Sequence, residues 1–206
     1  MDTGFDREQA EALCRLGRLF GDRQWCLATS GNFSLRVDAS HCLITQSGAD
    51  KARLSPEDIL LCALDGRPAN ATRTPSAETA VHTCLYRHDP AIGAILHTHS
   101  ITTTVLSRAM TKSIEISGFE MQKALRGIRS HEDPVTILNF DNNQDMPALA
   151  AAVEKSLNDG SLATPGFLVR GHGLYAWGTD LPEAQRHAEG LEFLLGCLWQ
   201  ERLAKQ

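Results

Sequence analysis

The sequence predicts an α/β protein built on one central sheet, and three observations carry the prediction. Segments with apolar residues at helical spacing interleave with short alternating or continuous apolar runs along the whole chain. No repeat, low-complexity stretch or linker divides it. Its 206 residues suffice for one sizeable core, so a single domain over 1–206 is expected.

The elements follow in order. Ala10, Leu13, Leu16, Leu19 and Phe20 recur at helical spacing, so an amphipathic helix is expected over 6–20. Residues 33–37 and 42–45 alternate as strands around a polar turn at 38–41. A further strand at 59–64 closes on the turn signal Asp65-Gly66. After a polar loop, Ser76 is placed to cap a helix running to about Arg87. Residues 92–96 form a continuous apolar run, the pattern of a strand buried on both faces, and lead directly into His97-Thr98-His99. Strands are expected at 135–140, 167–169 and 174–177, and helices at 145–157 and 180–203. The last opens on Asp180-Leu181-Pro182-Glu183, a cap with proline near the start and an acid in the first turn.

Composition narrows the function. A formal charge of -5 and the absence of any basic run argue against nucleic acid as a partner. The opening residues are polar and acidic, unlike a signal peptide, and no apolar run approaches a membrane span. Cys14, Cys26, Cys42, Cys62, Cys84 and Cys197 show no paired spacing and are expected as reduced thiols in a cytoplasmic protein.

Metal chemistry is suggested by His97-Thr98-His99, since strand residues two apart share a face and both imidazoles can reach one ion. Taken alone, the spacing fits a pair of ordinary strand-end histidines equally well. His172 lies between Gly171 and Gly173, which permit positive φ or close backbone approach and so can aim one side chain. Together the three would make the usual protein ligand set of a catalytic zinc, with one position open. His41, His82, His88, His131 and His187 have no comparable setting and are expected to be packed or solvated. Thr29-Ser30-Gly31-Asn32, Ser47-Gly48 with nearby Lys51, and Pro75-Ser76 each offer groups that can cradle a phosphate, or are plain turns. Glu78 sits in the first turn of the Ser76 helix. Glu120 is flanked by Phe119 and Met121, a setting expected to raise a carboxyl pKa toward the range of general acid/base work.

In this order, Thr29-Ser30-Gly31-Asn32, Ile44-Thr45-Gln46-Ser47-Gly48, Pro75-Ser76-Ala77-Glu78, His97-Thr98-His99-Ser100 and Arg170-Gly171-His172-Gly173 resemble the class II aldolase/adducin family across nearly the whole chain. The stretches at 25–34, 118–125 and 171–178 resemble its dehydratase branch, which removes water from a methylthio-substituted 2-keto pentose phosphate in methionine salvage. The resemblance implies a three-layer α/β/α fold with a central, mainly antiparallel sheet and a homotetramer. It implies one zinc per subunit on His97, His99 and His172, and the substrate phosphate at Gly31, Asn32, Ser47, Gly48 and Ser76. It further implies catalytic acids at Glu78, as in the aldolases, and at Glu120, as in the dehydratases. Ala77 stands where many relatives carry a second serine, removing one hydroxyl from the anion site. The alternatives are aldol cleavage or epimerisation through the same enediolate, and a non-catalytic binding module, which would be expected to have lost its ligands. Phe119, Met121 and Trp177 are conceivable linings for the methylthio tail, with core packing the plainer reading.

Overall fold

A computed structural model describes residues 6–110 and 112–205; the polar opening at 1–5, on which the reading of the N-terminus partly rests, lies outside them. Helix α1 (Arg7–Asp22) starts where the Asp6 side chain accepts the Glu8 N–H, and buries Ala10, Leu13, Leu16 and Phe20 as expected. Strands β1 (Asn32–Arg36), β2 (His41–Thr45) and β3 (Ile59–Ala63) form an antiparallel meander. Helix α2 (Thr79–His88) leads to β4 (Ala94–Thr98), then α3 (Ile101–Ala109) and β5 (Ser113–Ile116). The chain continues through β6 (Val135–Phe140), α4 (Met146–Asn158), β7 (Gly166–Val169), β8 (Gly173–Gly178) and α5 (Leu181–Ala204).

The eight strands make one sheet in the order β3-β2-β1-β4-β8-β7-β6-β5, in which only β6 and β7 run parallel. Side chains alternate across each strand, so the sheet presents an apolar layer on both faces. Leu35, Leu43, Leu96 and Leu174 pack with α1, α3 and α5 on one face. Ile44, Ile95, Phe167 and Tyr175 pack with α2 and α4 on the other. The result is the expected three-layer α/β/α arrangement with a mainly antiparallel sheet. Strand β4 lies fourth of eight and is buried along its whole length, which accounts for its unbroken apolar run.

Two differences from the sequence reading have identifiable causes. Helix α2 starts at Thr79, not Ser76, because the Ser76 carbonyl accepts the Thr79 N–H and its hydroxyl the Glu78 N–H, closing a separate turn first. Helix α3 is not foreseen, since Ile101-Thr102-Thr103-Thr104 is β-branched and poor in helix propensity. Ser100 starts it all the same, its hydroxyl accepting the Thr103 N–H. Trp177 is a core residue packed with Phe167, in agreement with the plainer of its two readings.

Candidate metal centre

The end of β4 supplies the centre. His97 lies opposite Asn32 on β1 and opposite Tyr175 on β8, fully buried, with its ring stacked on Tyr175 at 4.0 Å. Two residues on, His99 has left the strand, and its N–H donates to the Trp25 carbonyl at 2.7 Å. The intervening residues face the other way. The Thr98 and Ser100 hydroxyls donate to the two carboxylate oxygens of Glu192 on α5, both at 2.6 Å. One face of the strand end therefore presents imidazoles while the other is clamped by a single buried acid. Burial pushes that acid up to about 7.

His172 arrives on the turn between β7 and β8, and its two glycines act as expected but by different means. Gly171 adopts φ +65°, a left-handed conformation disfavoured for residues with a Cβ. A Cβ on Gly173 would fall 1.9 Å from the Thr98 carbonyl, so β8 can approach β4 only with glycine there. The imidazole of His172 then meets His97 at 3.3 Å, Nε2 to Nε2, while His99 Nε2 lies 2.8 Å from His97 Nε2.

These contacts also have the arrangement of a ligand set. His97 Nδ1 donates to the Leu174 carbonyl at 3.0 Å, so its Nε2 carries a lone pair and no proton. Burial lowers His97 to about 4 and, with help from the neighbouring imidazoles, His99 to about 3. A bare Nε2 on His97 facing two further imidazoles and a carboxylate is a set that a cation would satisfy. The 3.3 Å separation is also near the roughly 3.3 Å expected for two nitrogens of a tetrahedral zinc with bonds of about 2.0–2.1 Å. A carbonyl on the distal nitrogen is the usual way a ligating histidine is fixed in orientation.

A fourth group completes the cluster. Glu78 Oε2 lies 3.1 Å from His97 Nε2 and Oε1 lies 3.0 Å from His172 Nε2. Its carboxylate and the three imidazoles each place one ligand-capable atom within 4.8 Å of the others. Burial disfavours the charge on Glu78, but the positive charge that His97 and His172 carry once protonated, with the Tyr175 hydroxyl, outweighs it and lowers the carboxyl from its ordinary range. The Asn32 amide donates to Oε2 at 3.1 Å and the Tyr175 hydroxyl donates to the same oxygen. Beside the cluster an open cleft of about 580 Å³ is lined by Ala77, Ile101, Val105, Asn142, Gln144 and Met146 with Glu78, His99 and His172. Ile101 and Val105 escape a sequence reading because they belong to the unforeseen α3.

The other sequence candidates divide. The three phosphate-type loops are neighbours: Gln46 bridges Pro75, Ser47 N–H donates to the Thr74 carbonyl, and the buried Lys51 ammonium ties the Thr29 and Ala49 carbonyls together. Ser47 and Gly48 are exposed, Ser76 is partly exposed and Gly31 is buried. Asn32 is also buried, its side chain engaged by Glu78 and His82. Glu120 stands apart from the histidines on a short 3-10 turn, 71% exposed and paired with Lys123 at 2.5 Å and His131 at 3.2 Å. The apolar flanks do not raise its pKa; the Lys123 ammonium lowers it, because Phe119 packs inward while the carboxylate points to solvent. Among the remaining histidines, His187 is packed, with Nδ1 at 2.6 Å from the Trp177 carbonyl. His82 is fully buried and central to a network that no sequence pattern discloses.

Comparison with known proteins follows the same outline. The pattern of the class II aldolase and adducin N-terminal domain matches residues 11–199. Methylthioribulose-1-phosphate dehydratase of Yersinia pestis (strain Pestoides F) is 52% identical over 199 residues, covering 96% of this chain and 89% of the relative. The enzyme of the same name from Pectobacterium carotovorum subsp. carotovorum (strain PC1) is 51% identical over 200 residues, covering 96% and 97%. The crystal structure of L-fuculose-1-phosphate aldolase from Thermus thermophilus superposes with a TM-score of 0.78 at 28% identity, covering 97% of this chain and 98% of that one.

Proposed function

The chain belongs to the class II aldolase and adducin family, and on that footing we propose that it dehydrates 5-methylthioribulose 1-phosphate to 2,3-diketo-5-methylthiopentyl 1-phosphate in methionine salvage. The observation that carries this reading is about 52% identity, over almost the full length of both chains, to enzymes named for that reaction. The three-histidine cluster supports it by supplying a ligand set. Zinc is the metal we assign, because neutral imidazoles at this spacing suit it.

His97, His99 and His172 would hold a divalent metal, which when bound would supply Lewis-acid polarisation of the substrate's oxygens and so favour departure of the C3 proton. We give Glu78 the acceptance of that proton; the engagement of Oε2 by Asn32 and Tyr175, with Oε1 facing His172, supports the reading. Loss of the C4 hydroxyl needs a proton donor, the role we give Glu120. The loops at Gly31, Asn32, Ser47, Gly48 and Ser76 are assigned the phosphate; Asn32, whose amide is engaged, contributes the position of its loop. Ile101, Val105 and Met146 give the cleft an apolar wall suited to the methylthio tail.

Glu120 is exposed and outside the cluster, so we propose that it serves the site of a neighbouring copy in a homotetramer. The 70% exposure of Ile101 beside the cleft agrees with a surface that another copy covers. The reading can be tested by mixing variants. Refolding Glu78→Gln with Glu120→Gln in equal amounts should restore about a quarter of wild-type turnover if each site joins two adjacent subunits of a ring. No restoration would place both acids in one subunit. A cytoplasmic location is part of the reading, and the unpaired cysteines agree with a reducing compartment.

The reaction itself is tested by supplying methylthioribulose phosphate to the metal-loaded protein. Diketone should appear by absorbance; an aldehyde plus a three-carbon phosphate would instead establish aldol cleavage.

A further inference from the structure

Behind Glu78 lies a line of buried polar groups that takes no part in metal binding. Asn32 Oδ1 lies 2.5 Å from His82 Nε2; His82 Nδ1 lies 2.7 Å from Ser34 Oγ; Ser34 Oγ lies 2.8 Å from the Tyr86 hydroxyl. Asn32 and Ser34 point to the same face of β1, and His82 and Tyr86 stand one turn apart on α2, so the line runs along a strand–helix seam. All four residues are at most 4% exposed. Buried groups of this kind are costly unless each is satisfied, and here the proton inventory closes with one direction only.

The direction follows from its end at Glu78. Oε2 accepts the Tyr175 hydroxyl, so Asn32 must turn its amino group, not its carbonyl, toward that oxygen. Asn32 Oδ1 then faces His82 and needs a donor, which puts the imidazole proton on Nε2. Nδ1 is left as an acceptor for the Ser34 hydroxyl, and the Ser34 oxygen accepts the Tyr86 hydroxyl. Every donor has one acceptor: Tyr86 to Ser34, Ser34 to His82, His82 to Asn32, Asn32 to Glu78. Burial keeps the ring neutral, near 4, which this arrangement requires.

We propose that His82, as the Nε2–H tautomer, is a positioning residue for the reaction: through Asn32 it saturates Oε2 of Glu78 and leaves Oε1 as the reacting oxygen. Without it Asn32 Oδ1 is left buried with no donor, and the amide loses the second contact that fixes its place against Glu78. Glu78 would then rotate out of line with the substrate proton, although no atom touching substrate had changed. The consequence rests on Glu78 as base; the hydrogen-bond chain stands separately from it.

Two substitutions separate positioning from packing. Glutamine places an amide N–H near the Nε2 position and can still donate to Asn32, whereas asparagine reaches only as far as Nδ1. His82→Asn should lower kcat by about 10–100-fold, the range for loss of a group that orients a site through another, with KM and metal content little changed. His82→Gln should recover most of that loss. Equal losses in both variants, or full kcat in His82→Asn, would overturn the proposal. The tautomer is read directly on the wild-type holoenzyme labelled with ¹⁵N-histidine, using the His82→Gln spectrum to assign the resonance. A protonated Nε2 and bare Nδ1 are expected, and the opposite tautomer or a cationic ring would overturn the chain. If Glu78→Gln kept full turnover, the base assignment would fall while the tautomer still decided the chain.

Discussion

Replacing His99 with alanine is expected to remove metal and turnover together. His99 supplies one of three converging Nε2 atoms, and its backbone bond to Trp25 needs no side chain, so the fold should survive. Changing an outer-shell partner of a metal-bound histidine typically costs about 10–100-fold in affinity, and losing a ligand outright should exceed that. Lewis-acid stabilisation is worth several kcal/mol, so turnover should fall by about 10³-fold or more, at about 1.36 kcal/mol per tenfold. Metal content by elemental analysis and kcat should be measured on the same preparation, with circular dichroism to verify folding. A variant that lost metal yet kept turnover would remove the metal from the reaction. One that kept metal tightly would move the ligand elsewhere.

Glu78→Gln should behave differently, keeping metal while losing most of its turnover. The amide is isosteric, and its oxygen can still accept from Asn32 and Tyr175, so the buried donors remain satisfied. Its nitrogen would occupy the place of Oε1, where it cannot take a proton. General acid/base groups contribute about 10²–10⁴-fold, and kcat should drop within that range with little change in KM. The same loss is expected for Glu120→Gln, which makes the mixing experiment interpretable. A loss well below tenfold in Glu78→Gln would place the base elsewhere.

The geometry divides the work between two layers of residues. The histidines are held by backbone: a strand end clamped from behind by Glu192, and a glycine turn that brings His172 across from β8. Glu78 is held by side chains, through Asn32, Tyr175 and the line that continues to His82. Backbone placement would suit metal ligands that must not move, and side-chain hydrogen bonds would suit the base role proposed for Glu78, whose two oxygens they keep distinct.

Much of this is local, and so legible in the chain. The apolar run before His97, the alternation of β1 and β2, and the cap at Asp180 specify their elements through short-range periodicity. The glycines beside His172 already indicate a residue aimed by its backbone, and the structure shows the positive φ and close approach responsible. Helix α3 is hidden because its β-branched sequence argues for strand, and packing against α5 with the Ser100 cap overrides that preference. The electrostatics of Glu120 are misread from sequence because apolar neighbours do not bury a side chain that points the other way.

By itself the sequence determined the α/β class and the order of its main elements, and marked His97, His99 and His172 as candidates, because these depend on patterns within a few residues. Only the tertiary structure decided that Glu78 lies against all three, that Glu120 stands apart, and that His82 lies behind Glu78. Those relations depend on which strands adjoin and which way each side chain turns, and they connect residues 19 to 97 positions apart that no local pattern links.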